Sequence, residues 1–140
     1  MTELSLSVSR RINAPAEKVF NAWLDPKMLA RFMLPGETMS VPKAETDPRV
    51  GGRFDIIMAT PDREIPHGGI YKAIDPHTRI VFTWESPFSI DGSMVTLTFT
   101  AVGAGATDVE LTHVKFPSEE SRDNHQGGWT AILAKLAETV

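Results

Sequence analysis

The chain has 140 residues, enough for one domain whose core needs no disulfide or metal to hold it. It has no cysteine, which excludes a disulfide framework, thiolate chemistry and zinc–cysteine sites, and which suits a reducing compartment. Its formal net charge is −4, and apart from Arg10-Arg11 the basic residues are scattered, so the basic patch of a nucleic-acid binder is missing. The first residues, MTELSLSVSRR, lack the basic start and apolar run of a signal peptide. No apolar run approaches the ~18 residues of a membrane span, and no basic amphipathic helix marks a membrane-surface role. The expectation is a cytoplasmic protein with neither nucleic acid nor membrane as partner.

In chain order, Leu4, Leu6 and Val8 alternate with serines and predict a half-buried strand, stopped by Asn13 to Pro15. Pro15 suits the first turn of a helix that carries Val19, Phe20, Trp23 and Leu24. Asp25-Pro26 then caps a second short helix, whose apolar stripe is Met28, Leu29, Phe32 and Met33, and Pro35-Gly36 closes it. Six strands follow, over roughly 38–45, 52–59, 68–74, 79–85, 93–101 and 107–116. The turn chemistry between them (Thr60-Pro61-Asp62, Asp75-Pro76-His77, Ile90-Asp91-Gly92 and Gly103-Ala104-Gly105) is short, and short connections demand antiparallel pairing. Val95, Leu97 and Phe99 alternate with threonines, and Val109, Leu111 and His113 with Asp108, Glu110 and Thr112, so one face of the sheet is buried and the other wet. The last element is a helix from Ser118, a good N-cap, to about Glu138. Its apolar stripe is Trp129, Ile132, Leu133 and Leu136, and the same stripe turns polar upstream at Arg122 and His125. The final helix is the only long one available to cover the sheet, which makes the fold α+β.

Two pairs of glycines stand out. Gly51-Gly52, at the start of a strand, is expected to hold a positive φ or a bulge as the chain enters a curved sheet, with Arg49 tied to a carboxylate in the turn; the alternative is a glycine left bare for a ligand to approach the backbone. Gly127-Gly128, inside the last helix, implies close approach of helix to sheet or a kink, with room left for a ligand as the alternative. Four histidines are present, and none has a metal-binding spacing, so no metal and no cofactor is expected. His77 falls in a turn and is read as solvated, while His113 shares its face with Val109 and Leu111 and is read as inward. No nucleophile elbow, dinucleotide fingerprint or P-loop occurs.

Four stretches carry a family resemblance: APAEKVFNAWLDPKML (14–29), DPRVGGRF (47–54), GGIYKAIDPHTRIVFTWE (68–85) and HQGGW (125–129). Together, and in this order, they resemble the SRPBCC, or START/Bet v 1-like, superfamily, and within it the branch similar to the activator of the heat-shock-protein-90 ATPase. The resemblance implies a helix-grip fold, a curved antiparallel sheet wrapped around the long last helix, over nearly the whole chain as one domain. One stretch departs from it. Many members carry a Trp-Trp pair at the end of the second helix, where this chain has Arg31-Phe32-Met33.

The resemblance also implies a cavity between sheet and last helix for a small apolar or amphipathic molecule. Inward parity makes Phe54, Ile56, Phe82, Trp84, Leu97 and His113 its wall candidates. Phe32, Met33 and Trp129 would close it, Tyr71 would bring a hydroxyl that needs a partner, and His125 would contact the ligand. The first functional reading is a non-enzymatic ligand-binding protein. The second is an acid–base enzyme of cyclase or hydrolase type using Glu85, His113, Tyr71 or His67. The third is a module that activates a chaperone ATPase; the namesake activators carry a further N-terminal domain, for which 140 residues leave no room. Two-fold homodimers are common among soluble proteins, so a homodimer is compatible with the chain, although no feature marks an interface.

Overall fold

A computed structural model describes residues 4–36 and 38–140. Its elements are β1 (Ser5–Ile12), α1 (Ala16–Ala22), α2 (Pro26–Phe32), β2 (Ser40–Thr46), β3 (Arg53–Ala59), β4 (Glu64–Asp75), β5 (Arg79–Thr83), β6 (Met94–Val102), β7 (Ala106–Val114) and α3 (Glu119–Thr139). The seven strands form one sheet in the order β1-β7-β6-β5-β4-β3-β2, and every neighbouring pair is antiparallel. Strands β2 to β7 are a meander, as the short turns between them require. β1 and β2 lie on opposite edges, so α1 and α2 carry the chain from one edge to the other. On the way α1 touches β6 and β7, and α2 touches β2 and α3.

The local signals act as expected at both capped helices. The Asp25 carboxylate accepts from Lys27 N at 2.9 Å, and the Ser118 hydroxyl accepts from Ser121 N at 3.1 Å. Strand alternation sets the buried face. Phe54, Ile56 and Met58 of β3, Ile80 and Phe82 of β5, Val95, Leu97 and Phe99 of β6, and Val109, Leu111 and His113 of β7 are all buried. Trp129, Ile132, Leu133 and Leu136 of α3 are buried too, and α3 lies against β1 and α2.

Strand bounds differ from the sequence expectation by one or two residues at most ends and by four at the start of β4. β4 begins at Glu64 rather than Gly68, because Ile65 and His67 pair opposite Met58 and Ile56 in spite of the intervening Pro66. β5 ends at Thr83 rather than Glu85, although the pairing does not stop there. Trp84 N donates to Ser93 O at 2.9 Å, and Gly68 and Glu85 exchange two backbone bonds of 2.9 and 2.8 Å.

The glycines explain themselves by backbone contacts. Gly51 has φ +86°, and a Cβ on Gly52 would overlap the Asp47 carbonyl. Arg49 Nε donates to the Asp47 carboxylate at 2.9 Å, closing the turn on itself. Gly51 N and Gly52 O both bond to Tyr71, so the bend leads straight into the β3–β4 ladder. In α3 the expectation needs correction. A Cβ on Gly128 would stand 3.2 Å from the Pro35 side chain, so the close approach is to the segment after α2 and not to the sheet. Gly127 faces open space, and the helix runs unbroken through both.

Candidate functional site

Packing between the sheet and α3 is dense. Phe54 meets Phe82 edge-on at 5.0 Å and Tyr71 at 5.5 Å, while Trp84 meets Trp129 at 4.9 Å between ring centres. Met33, Phe54, Ile56, Tyr71, Phe82 and Trp84 surround, with Trp23 and Leu29, a void of only about 10 Å³. Space for at most about one water molecule remains there. Phe32 and Leu97 are fully buried and line neither this void nor the larger space described next.

A larger cleft, of about 740 Å³, opens at one end of the helix. Met58, Ile65 and His67 form its β3–β4 side, and Ser121, His125 and Trp129 of α3 face them. Trp84 forms part of the lining, and the loop of residues 87–90 makes a rim in which Phe88 and Ile90 are 47% and 39% exposed. Of the side chains named from sequence for the site, this cleft brings together Trp84, His125 and Trp129. His67, named above only as an acid–base candidate, joins them. Ser121 and the apolar rim were not anticipated; the one sequence signal was the run Pro87-Phe88-Ser89-Ile90, unusually apolar for a loop.

The hydrogen-bond directions in this region follow from the chemistry of the partners. Trp129 Nε1 only donates, and it lies 3.0 Å from His113 Nδ1, so that nitrogen accepts. The His113 proton therefore sits on Nε2, 2.7 Å from the Ser93 hydroxyl. His113 lies behind the cleft, with its ring 4.4 Å from Phe116 and 5.3 Å from His125. Burial, helped by His125, pushes its pKa down to about 3. His67 Nδ1 lies 3.1 Å from the Ile65 carbonyl, and His125 Nδ1 lies 2.7 Å from the Ser121 carbonyl. Carbonyls only accept, so each Nδ1 carries the hydrogen, and in the neutral ring each Nε2 holds the lone pair. Burial lowers the His67 pKa to about 4, against the pull of its carbonyl partner and with help from His125.

Two residues of the lining also carry a buried polar atom with no hydrogen-bond partner among the described residues, Trp84 Nε1 and Ser121 Oγ. Buried polar groups are nearly always paired, so such orphans ask for a partner from outside the chain. The remaining acid–base candidates point elsewhere. Glu85 is held by Arg53 at 3.1 Å on the outer surface, and burial drives the Tyr71 pKa well above its ordinary value, with Asp47 adding to the rise. No cluster of three metal-ligating side chains occurs among the described residues, and no helix there is long and apolar enough to cross a membrane.

A long C-terminal helix held against a seven-stranded antiparallel sheet, with two short helices after the first strand, defines a helix-grip protein. Within that class, the match over residues 13–140 shows that the chain belongs to the family described as Activator of Hsp90 ATPase homolog 1-like protein. Among solved structures, it is similar to protein CV1439 from Chromobacterium violaceum, with 28% identity over 96% of this chain and 94% of that one, and a TM-score of 0.84. The solution structure of an AHSA1-like protein from Aeromonas hydrophila is similar at 27% identity, covering 98% and 92% of the two chains with a TM-score of 0.84. A Staphylococcus aureus protein of unknown function, SA2116, shares the fold at 17% identity and a TM-score of 0.79, over 98% and 94% of the two chains. No protein of curated function matches the sequence.

Proposed function

We propose that the chain binds a small apolar or amphipathic molecule in the cleft between the β3–β4 strand ends, the 87–90 loop and the first half of α3. The observation that carries this reading is the pairing of an apolar, ligand-sized opening with buried orphan polar atoms on residues of its lining. Its volume falls within the few hundred to about 1,000 Å³ of small-molecule sites, which combine apolar walls with a few polar groups. Trp84 Nε1 and Ser121 Oγ supply those groups, beside the two imidazoles.

The test is titration with N-phenyl-1-naphthylamine, a neutral apolar dye that brightens when taken out of water. Native mass spectrometry of freshly purified protein would look for a co-purified ligand in parallel. Saturable binding is expected, and Phe88→Asp should weaken it at least tenfold. Phe88 is half exposed, so this substitution leaves the core intact. Undiminished affinity in that variant would place the dye elsewhere, and no saturable binding in the parent would sink the cleft reading.

The acid–base reading narrows to one residue on the same grounds. Among its four candidates only His67 lines the cleft.

A further inference from the structure

The polar lining of the cleft discriminates among ligands by charge and by hydrogen-bond sense. We infer that the cleft selects a neutral, flat aromatic molecule carrying a hydroxyl, which donates its hydrogen to an imidazole Nε2 of His67 or His125, over carboxylate amphiphiles of the same size. This deepens the proposed cleft reading and rests on it.

The hydrogen-bond directions come first. The Ile65 and Ser121 carbonyls fix the hydrogens of both rings on Nδ1. In the neutral rings this leaves two Nε2 lone pairs, which accept from a ligand and cannot donate to it. A carboxylate has only acceptors and, at these two nitrogens, would face lone pairs with lone pairs. Burial also holds His67 in its neutral form, so a ligand anion finds no positive charge there.

The charge inventory points the same way. Glu120 is the single carboxylate in the described lining, on the exposed outer turn of α3, and no lysine or arginine is part of that lining. No lysine or arginine there offsets the desolvation of a carboxylate, and a buried ammonium would be as poorly served beyond reach of Glu120. A neutral hydroxyl costs far less to bury. Its oxygen also accepts, which suits the orphan donors at Trp84 Nε1 and Ser121 Oγ.

Shape supplies the aromatic part. The His67 ring lies 5.2 Å from Trp84, and Trp84 lies 4.9 Å from Trp129. Met58, Ile65 and Ile132 complete an apolar lining that offers a flat ring a surface to pack on.

Calorimetry with three probes of one size tests this at pH 7: 2-naphthol, 2-methoxynaphthalene and 2-naphthoate. One added hydrogen bond to a desolvated acceptor is worth about tenfold in Kd. 2-Naphthol should therefore bind about tenfold tighter than 2-methoxynaphthalene, which lacks the donor, and 2-naphthoate should bind weakest. In His67→Leu/His125→Leu the preference for naphthol over its methyl ether should fall to about one. Equal affinities for the three probes, tighter binding of naphthoate, or a naphthol preference that survives in a folded double variant would overturn the inference and leave the cleft standing. Failure of all three probes and of the naphthylamine dye would bring down the cleft reading and this inference together. If the double variant does not fold, the three-probe comparison on the parent protein decides alone.

Discussion

At His113 each hydrogen bond has a direction set by its neighbour, and that makes the residue an anchor rather than a base. Trp129 on α3 donates to Nδ1, while Nε2 donates to Ser93, which directly precedes β6. A side chain from β7 thus ties the helix to the neighbouring strand through a fully buried ring. Protonating Nδ1 would break the Trp129 bond and place a charge among Phe116, Trp84 and Trp129. Trp129→Phe keeps most of the aromatic bulk and removes the one donor to Nδ1. The cost of a buried acceptor left unpaired is ~1–3 kcal/mol. Urea unfolding should show a loss of that size, and the imidazole nitrogen spectrum of the parent should report hydrogen on Nε2. Unchanged stability in the variant, or an Nδ1–H signal in the parent, would contradict the assigned network.

Among the elements, the glycines separate backbone necessity from tolerance. A Cβ on Gly69 would overlap the Thr83 carbonyl and come within 2.8 Å of the Phe54 ring. The obstruction is backbone from the neighbouring strand, so Gly69→Ala must push β4 and β5 apart where they flank Trp84. Gly127, by contrast, faces open space inside a continuous helix, and alanine there gains about 1 kcal/mol of helix propensity. Thermal denaturation should therefore move in opposite directions, with Gly69→Ala well below the parent and Gly127→Ala above it; the same direction for both would refute this account. Sequence made the elements readable because alternation and capping are local. Val95, Leu97 and Phe99 reported their face by parity, and Asp25 and Ser118 announced their helices. The cleft was less readable because it depends on which inward side chains meet across the sheet. Phe54, Tyr71 and Phe82 have the same parity as Trp84, yet they pack on one another around a nearly closed void, while Trp84 also reaches the opening. His67 and Ser121 join the cleft through the early start of β4 and the packing of α3, which no short window of sequence encodes.

For the molecule as a whole, these packing choices make acid the condition that unfolds it. In the unfolded chain His67 and His113 titrate near the ordinary imidazole value of about 6.5, whereas in the fold they resist protonation down to about 4 and about 3. Between those limits the unfolded state binds more protons than the native state, and stability rises with pH wherever that holds. The contribution of each histidine is therefore complete above pH 6.5 and is lost as pH falls through the window toward its folded pKa. For the fully buried His113 the slope is ~1.4 kcal/mol per pH unit in the middle of the window. Asp108, held below its ordinary range by hydrogen bonding to Arg11, loses its pairing in the same direction, but both side chains are exposed and the pair is worth little. Urea unfolding at half-unit steps from pH 7 to 4 should show stability falling steadily below pH 6.5. His113→Gln supplies a carbonyl for Trp129 and an amide for Ser93 without a titrating group. It should flatten the curve by about one histidine's slope, whatever its stability at pH 7. A parent curve that is level between pH 6 and pH 4.5, or a Gln variant of undiminished slope, would show that His113 is not held neutral by the fold.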